Sequence, residues 1–332
     1  MSTVVHPFTG LILLTLVLGA APVQSAELRI GIIGCDTSHV TAFTQVFNDA
    51  SDKHHVTGGR VVVAFKGGSP DLPESANRVE EYALQLQQKY GVQLVDSVEE
   101  LCRQVDVVLL ESVDGRPHLE QVRPVFAAHK PVFIDKPVAG SLRDVLEIDR
   151  LATASHSPWF SSSAYRYYAT LTDLKKADAG EVLGAVSYGP CAYEPHHPDF
   201  FWYGIHPVEA LFTVMGSGCE SVTRTAGADT DVATGVWPKG RLGVFRGARN
   251  SPKSYEHGVT LFGTKAVLRQ AGGGDDYAPM LVEVMRFFQS GVAPVSNRET
   301  IEIYAFMEAA DESKRAGGKP VSLADVLKKN GG

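Results

Sequence analysis

From Glu27 to about Ser163, short apolar runs alternate with longer stretches in which apolar residues recur every three to four positions. The runs at 28–33, 60–65, 105–110, 131–134 and 159–162 are short and mostly apolar, the pattern of strands covered on both faces. Between the second and third runs, Val79, Tyr82, Ala83 and Leu86 mark one face of a helix, and Gly91 supplies its C-terminal stop. Ser97 with Glu100 and Ser141 with Asp144 have the spacing with which a side chain caps the first turn of a helix. Strand and helix in regular alternation predict βαβ units around a parallel sheet.

Beyond about Tyr165 the period changes. Runs at 182–188, 232–237, 241–246 and 259–268 follow one another with few helices between them, which predicts a mainly antiparallel sheet. Two helices are expected after it, one at 281–290 stopped by Gly291 and one opened by Ser296 and Glu299 and closed by Gly317-Gly318. The fold class is therefore α/β, with a Rossmann-like parallel-sheet domain at 27–163 and an α+β domain at 164–332. A length of 332 residues also exceeds what one core usually supports.

Residues 1–26 stand apart, because the apolar run from Leu11 to Leu18 leads into small residues ending at Ser25-Ala26. That is the core and cleavage region of a signal peptide, too short to span a bilayer, although Lys and Arg are missing ahead of it. The mature chain is thus expected to be exported, periplasmic or extracellular, with no membrane attachment once the leader is removed. Its net charge of −7 and lack of a basic block exclude nucleic acid as a partner. Cys35, Cys102, Cys191 and Cys219 match no zinc spacing and are too few for a disulfide scaffold, leaving one disulfide open in an oxidising compartment.

Candidate chemistry begins at the turn after the first strand, Gly31-Ile-Ile-Gly34-Cys35-Asp36-Thr37-Ser38-His39. A dinucleotide fingerprint needs glycines at 34, 36 and 39, and only Gly34 fits. Asp36 is expected to face a diphosphate with like charge, whereas Thr37 and Ser38 can donate to an anion at a helix start. Alternatively, Asp36 or Ser38 simply caps that helix. Lys66, after the second strand, suits a 2′-phosphate and hence NADP over NAD, or is a solvated turn residue. Lys136 follows the 131–134 run, at the sheet edge where open α/β proteins bind ligands, and can stabilise alkoxide charge on a substrate hydroxyl with Asp135 beside it.

The cluster from Tyr193 to Tyr203, including His196, His197, Asp199 and Trp202, combines aromatic faces with polar tips and reads as a carbohydrate-facing loop or a packing loop. Its histidines lack a metal-binding spacing, so no metal site is expected.

These segments resemble the Gfo/Idh/MocA family, the glucose-fructose oxidoreductase and inositol dehydrogenase relatives. The family's Glu-Lys-Pro stands here as Asp135-Lys136-Pro137, its preceding histidine matches His118, and Gly204-Ile205-His206-Pro207 resembles its active-site run. His257 to Gln270 resembles its sheet segment, and the likeness covers essentially the whole mature chain.

The resemblance implies NAD or NADP as cofactor and hydride transfer to or from a sugar or cyclic polyol, with Lys136, His206 and Tyr203 as catalytic residues. It assigns the cofactor to Gly31, Gly34, Asp36, Thr37, Ser38, His39, Lys66, Glu111, Ser112, His118, Asp135 and Pro137. Substrate contacts fall to Arg166, His196, His197 and Trp202. Trp202 stands where the family has an aspartate, and Asp114-Gly115 where it has Pro-Asn. Export and the altered turn keep two alternatives open: a non-redox carbohydrate-binding protein, and a sugar lyase, glycosidase or epimerase that retains its dinucleotide. A homo-oligomer through the second-domain sheet is a further expectation.

Overall fold

The computed structural model describes residues 1–4, 27–251, 256–270, 274 and 276–332. All but the first four residues of the expected leader lie outside the described residues. Among those described, no helix is long and apolar enough to cross a membrane.

The first sheet contains β1 (Leu28–Ile33), β2 (Gly59–Phe65), β3 (Gln93–Val95), β4 (Val107–Leu110), β5 (Val132–Ile134) and β6 (Trp159–Phe160). All its pairings are parallel and the order is β3-β2-β1-β4-β5-β6, the doubly wound arrangement expected of the alternating pattern. Helices α1 (Ser38–Asn48), α2 (Pro73–Ala76), α3 (Val79–Tyr90), α4 (Val98–Gln104), α5 (His118–Ala127) and α6 (Leu142–Ser155) connect the strands. Ser97 accepts from the Glu100 N–H and Ser141 from the Asp144 N–H, and Gly91 takes the left-handed conformation at the end of α3. Helix α1 is capped by Thr37, whose hydroxyl accepts from the His39 N–H, and not by Asp36 or Ser38.

After α7 (Ala169–Lys176), the second sheet comprises β7 (Val182–Pro190), β8 (Ser221–Ala226), β9 (Thr230–Trp237), β10 (Arg241–Ala248), β11 (Gly258–Gly263), β12 (Val267–Arg269) and β13 (Val321–Ser322). Its order is β12-β11-β7-β10-β9-β8-β13, antiparallel except between β7 and β10. The expected single strand at 259–268 is two strands paired as a hairpin. Strand β8 escaped the pattern because one of its inward residues is the buried Arg224. Helix α8 (Ile205–Met215) escaped for the opposite reason: nine of its eleven residues are buried, so no polar face marks a period.

Three helices close the chain: α9 (Ala278–Ser290), α10 (Asn297–Arg315) and α11 (Leu323–Asn330). Met280, Leu281, Val284, Phe287 and Phe288 of α9 share a core with Ile30, Ile32, Val40, Phe43 and Phe47. The segment after residue 164 thus returns to cover the first sheet, and the unit boundary is less sequential than 27–163 and 164–332. A second core joins the other face of that sheet to α8, α10 and the second sheet.

Candidate active site

The carboxyl ends of β1, β4 and β5 lie side by side, so the turns after them form one polar floor. Backbone bonds fix their height: the Glu111 N–H donates to the Ile33 carbonyl at 2.7 Å and the Asp135 N–H to the Leu110 carbonyl at 2.8 Å. Lys136 is half-buried and lines a small cavity with Ser161, Glu209 and Tyr304.

His206, in the first turn of α8, faces this floor. Its Nδ1 lies 2.7 Å from Ser163 Oγ, and Ser163 is fixed in turn by its N–H donating to Glu209 Oε2 at 2.8 Å. Tyr203 packs edge-on against the His206 ring at 5.3 Å, and His257 does so from β11's approach at 6.2 Å. Burial, and then the charge of Lys136, hold the His206 pKa well below the usual imidazole value. The ring is therefore neutral, and in the tautomer that gives its Nδ1–H to Ser163, Nε2 keeps a lone pair for a proton. Ser163 and His257 are the residues that sequence reasoning did not assign to the site. Ser163 sits in no motif, and His257 opens a segment read only as part of a sheet, whose pairing beside β7 is long-range.

Burial also lowers the His257 pKa from 6.5 to about 4. A histidine depressed on folding contributes stability that is complete above pH 6.5 and lost as pH falls toward 4, here about 2–3 kcal/mol. Melting temperature is expected to drop across that window, and His257→Phe to flatten the drop; an unchanged slope contradicts the assignment.

Several expected contacts are used elsewhere. Arg166 does not reach the site: its guanidinium is buried and paired with Glu209 and Glu299, each at 2.7 Å. His118 is fully buried between the carbonyls of Ser112 and Val138, at 2.9 and 3.1 Å, so it straps two loops together. Gly31 faces α4, where an added Cβ would lie 2.6 Å from Leu101 Cδ2. Ser112 donates to Gln121, Pro137 is buried, and Lys66 pairs at the surface with Glu80. Ser38 is exposed at the start of α1.

The 193–203 loop is a packing loop over most of its length. Tyr193 bonds Asp231, and Asp199 pairs with Arg224 and Lys314, which anchors it from behind. Asp199 is thereby removed from any cluster with the loop's histidines. His197 is held by Glu194 at 2.7 Å and by the Gly115 N–H at 3.2 Å, and its ring lies 5.1 Å from that of Trp202. Trp202, 9% exposed, forms an apolar cluster with Leu72 and Val113, with Tyr203 against it. Of the aromatic and histidine residues in the loop proposed to meet a sugar, Tyr193, His196 and Tyr203 stay partly or fully accessible.

These contacts decide how a dinucleotide fits. Gly34 keeps its turn function, with φ +89° and Ser112 so close that an added Cβ would lie 2.4 Å from the Ser112 nitrogen. Asp36, however, does not face outward to repel a phosphate. It is completely buried, accepting from Ser75 Oγ at 2.6 Å and from the Val113 N–H at 2.9 Å. Thr37, Ser112 and Val113 are also buried, and the Trp202 cluster seals the loops above them. The third fingerprint position, His39, is bonded to Asp135 at 2.7 Å. The side chains at fingerprint positions 36 and 39 thus have partners within the chain, and Asp36 is turned away from the place where a diphosphate would lie.

Residues 28–161 match an oxidoreductase family described by its NAD-binding Rossmann fold. Over these residues the chain is similar to the Gfo/Idh/MocA oxidoreductase family. No curated protein matches it. Among solved structures, the chain is similar to myo-inositol 2-dehydrogenase from Lactobacillus plantarum, at 15% identity and TM-score 0.71, covering 89% of this chain and 99% of that one. Scyllo-inositol dehydrogenase from Lactobacillus casei, solved with NAD(H) and scyllo-inositol, gives 15% identity, TM-score 0.68 and coverage of 90% and 99%. A Thermotoga maritima protein described as a dehydrogenase gives 21%, 0.71, 90% and 100%. At these identities the likeness establishes the two-domain fold.

Proposed function

We propose that this protein acts on a sugar or cyclic polyol, with Lys136 holding a substrate hydroxyl and His206 taking its proton. The observation that carries the reading is the neutral, half-buried His206 ring, bonded to Ser163 and beside the charge of Lys136 at the carboxyl edge of the first sheet. The family likeness and the inositol dehydrogenases among the similar solved structures favour NAD(P)-linked oxidation as the reaction. For that cofactor to enter, the 193–203 loop has to lift from Leu72 and Val113. A second reading, proton-transfer chemistry on a sugar without an exchangeable dinucleotide, is favoured by the same cover.

Reduction of NAD+ or NADP+ in the presence of a panel of inositols and aldoses tests the first reading. Turnover of that panel without added nucleotide, followed by mass spectrometry, tests the second. If neither condition yields product, the assignment of a carbohydrate substrate fails.

The same proposal includes a homo-oligomer formed through the open face of the second sheet, where Leu183, Leu242, Phe262 and Val267 are exposed at 39–53%. Light scattering is expected to give a larger particle for wild type than for Leu242→Glu, and a wild-type monomer contradicts it.

A further inference from the structure

His39, Glu111 and Asp135 come from the turns after three adjacent strands, and each presents a ligand atom within 4.8 Å of the others'. Glu111 is fully buried, and neither of its carboxylate oxygens has a hydrogen-bond partner. An unpaired buried carboxylate costs several kcal/mol, and here a second carboxylate, Asp135, only 2% exposed, sits beside it. The histidine offsets part of that charge through its 2.7 Å bond to Asp135, yet leaves Glu111 untouched. A cation at the centre of the three would satisfy Glu111 and neutralise both carboxylates.

We infer that His39, Glu111 and Asp135 form a binding site for one divalent transition-metal ion. One imidazole and two carboxylates suit Zn2+, Mn2+ or Fe2+ better than Mg2+ or Ca2+, which favour all-oxygen shells. Ion-to-ligand distances of about 2.0–2.2 Å place ligand atoms roughly 3–4 Å apart, within reach of small side-chain rotations here. Three protein ligands leave coordination positions open, and His206 and Lys136 lie close enough to this cluster to feel its charge. Those positions would accept a water or a substrate hydroxyl oxygen. The site also accounts for why His39 replaces a fingerprint glycine: the third position supplies a ligand. Metal binding is independent of the sugar reading, since it is measured with no substrate present.

The test uses the full chain stripped with a chelator and titrated with ZnCl2, MnCl2 and CoCl2. One equivalent is expected to bind, with at least 100-fold weaker affinity in both Glu111→Gln and Asp135→Asn. Co2+ should give a visible absorption band that shifts in His39→Ala, which a merely structural histidine would not cause. Bound Mn2+ or Zn2+ should raise the melting temperature of wild type and leave Glu111→Gln unmoved. Because Glu111→Gln keeps the shape of the side chain and breaks no hydrogen bond of its carboxyl oxygens, its metal-free form is expected to melt no lower than wild type. Absence of binding at millimolar metal, or binding that survives both carboxylate substitutions, overturns the inference.

Discussion

Lys136→Ala and His206→Ala are each expected to lower turnover about 100- to 10,000-fold, the contribution of one positioned acid or base. The protein should stay folded in both cases, for different reasons. Lys136 is half-buried, and among the described residues no salt bridge holds it. His206 is half-buried and its ring bonds Ser163, whose hydroxyl still accepts from the Tyr165 N–H at 3.2 Å when the ring is gone. Circular dichroism and melting temperature separate lost chemistry from lost fold. A Ser163→Ala variant, which frees the ring without removing it, should lose rate while shifting the acid limb of the pH profile. Full activity in both alanine variants would place the site elsewhere.

Asp36→Gly gives the other large effect, with a sign that the sequence alone reverses. As a fingerprint position, the substitution restores a glycine and should tighten dinucleotide binding. In the structure it deletes the acceptor of Ser75 and of the buried Val113 N–H, leaving the latter without a partner. The expected outcome is a loss of about 2–4 kcal/mol of stability, with no gain in nucleotide affinity. Urea unfolding with NAD+ titration measures both. Unchanged stability together with tighter binding would mean that Asp36 guards a working phosphate site.

The contrast marks where sequence reading ends. Strand and helix positions in the first half were legible because burial on both faces writes uninterrupted apolar runs, and caps such as Ser97 and Ser141 act within four residues. Arg224 in β8 and the largely buried α8 broke those rules, since one puts a charge where a strand reads apolar and the other has no polar stripe. Lys136 and His206 were legible as a pair through family likeness. The direction in which Asp36 points was not, because its partners Ser75 and Val113 are 39 and 77 residues away. Trp202 and His197 carry the residue types of a sugar platform, and only tertiary packing turns them inward against Val113 and Gly115. Glu111 was assigned to the cofactor by the resemblance alone, and its orphaned oxygens exist only in three dimensions.

The central claim is that the carboxyl edge of the first sheet is a proton-transfer and cation centre that retains no dinucleotide while the Trp202 cluster covers it. Denaturing the purified, unstripped protein and quantifying released metal and released nucleotide in the same sample tests it most directly. The account predicts close to one divalent transition-metal ion per chain and no stoichiometric NAD or NADP. Stoichiometric dinucleotide with no metal would contradict it, and would mean that the Trp202 cover opens and that Glu111 and Asp135 face a nicotinamide.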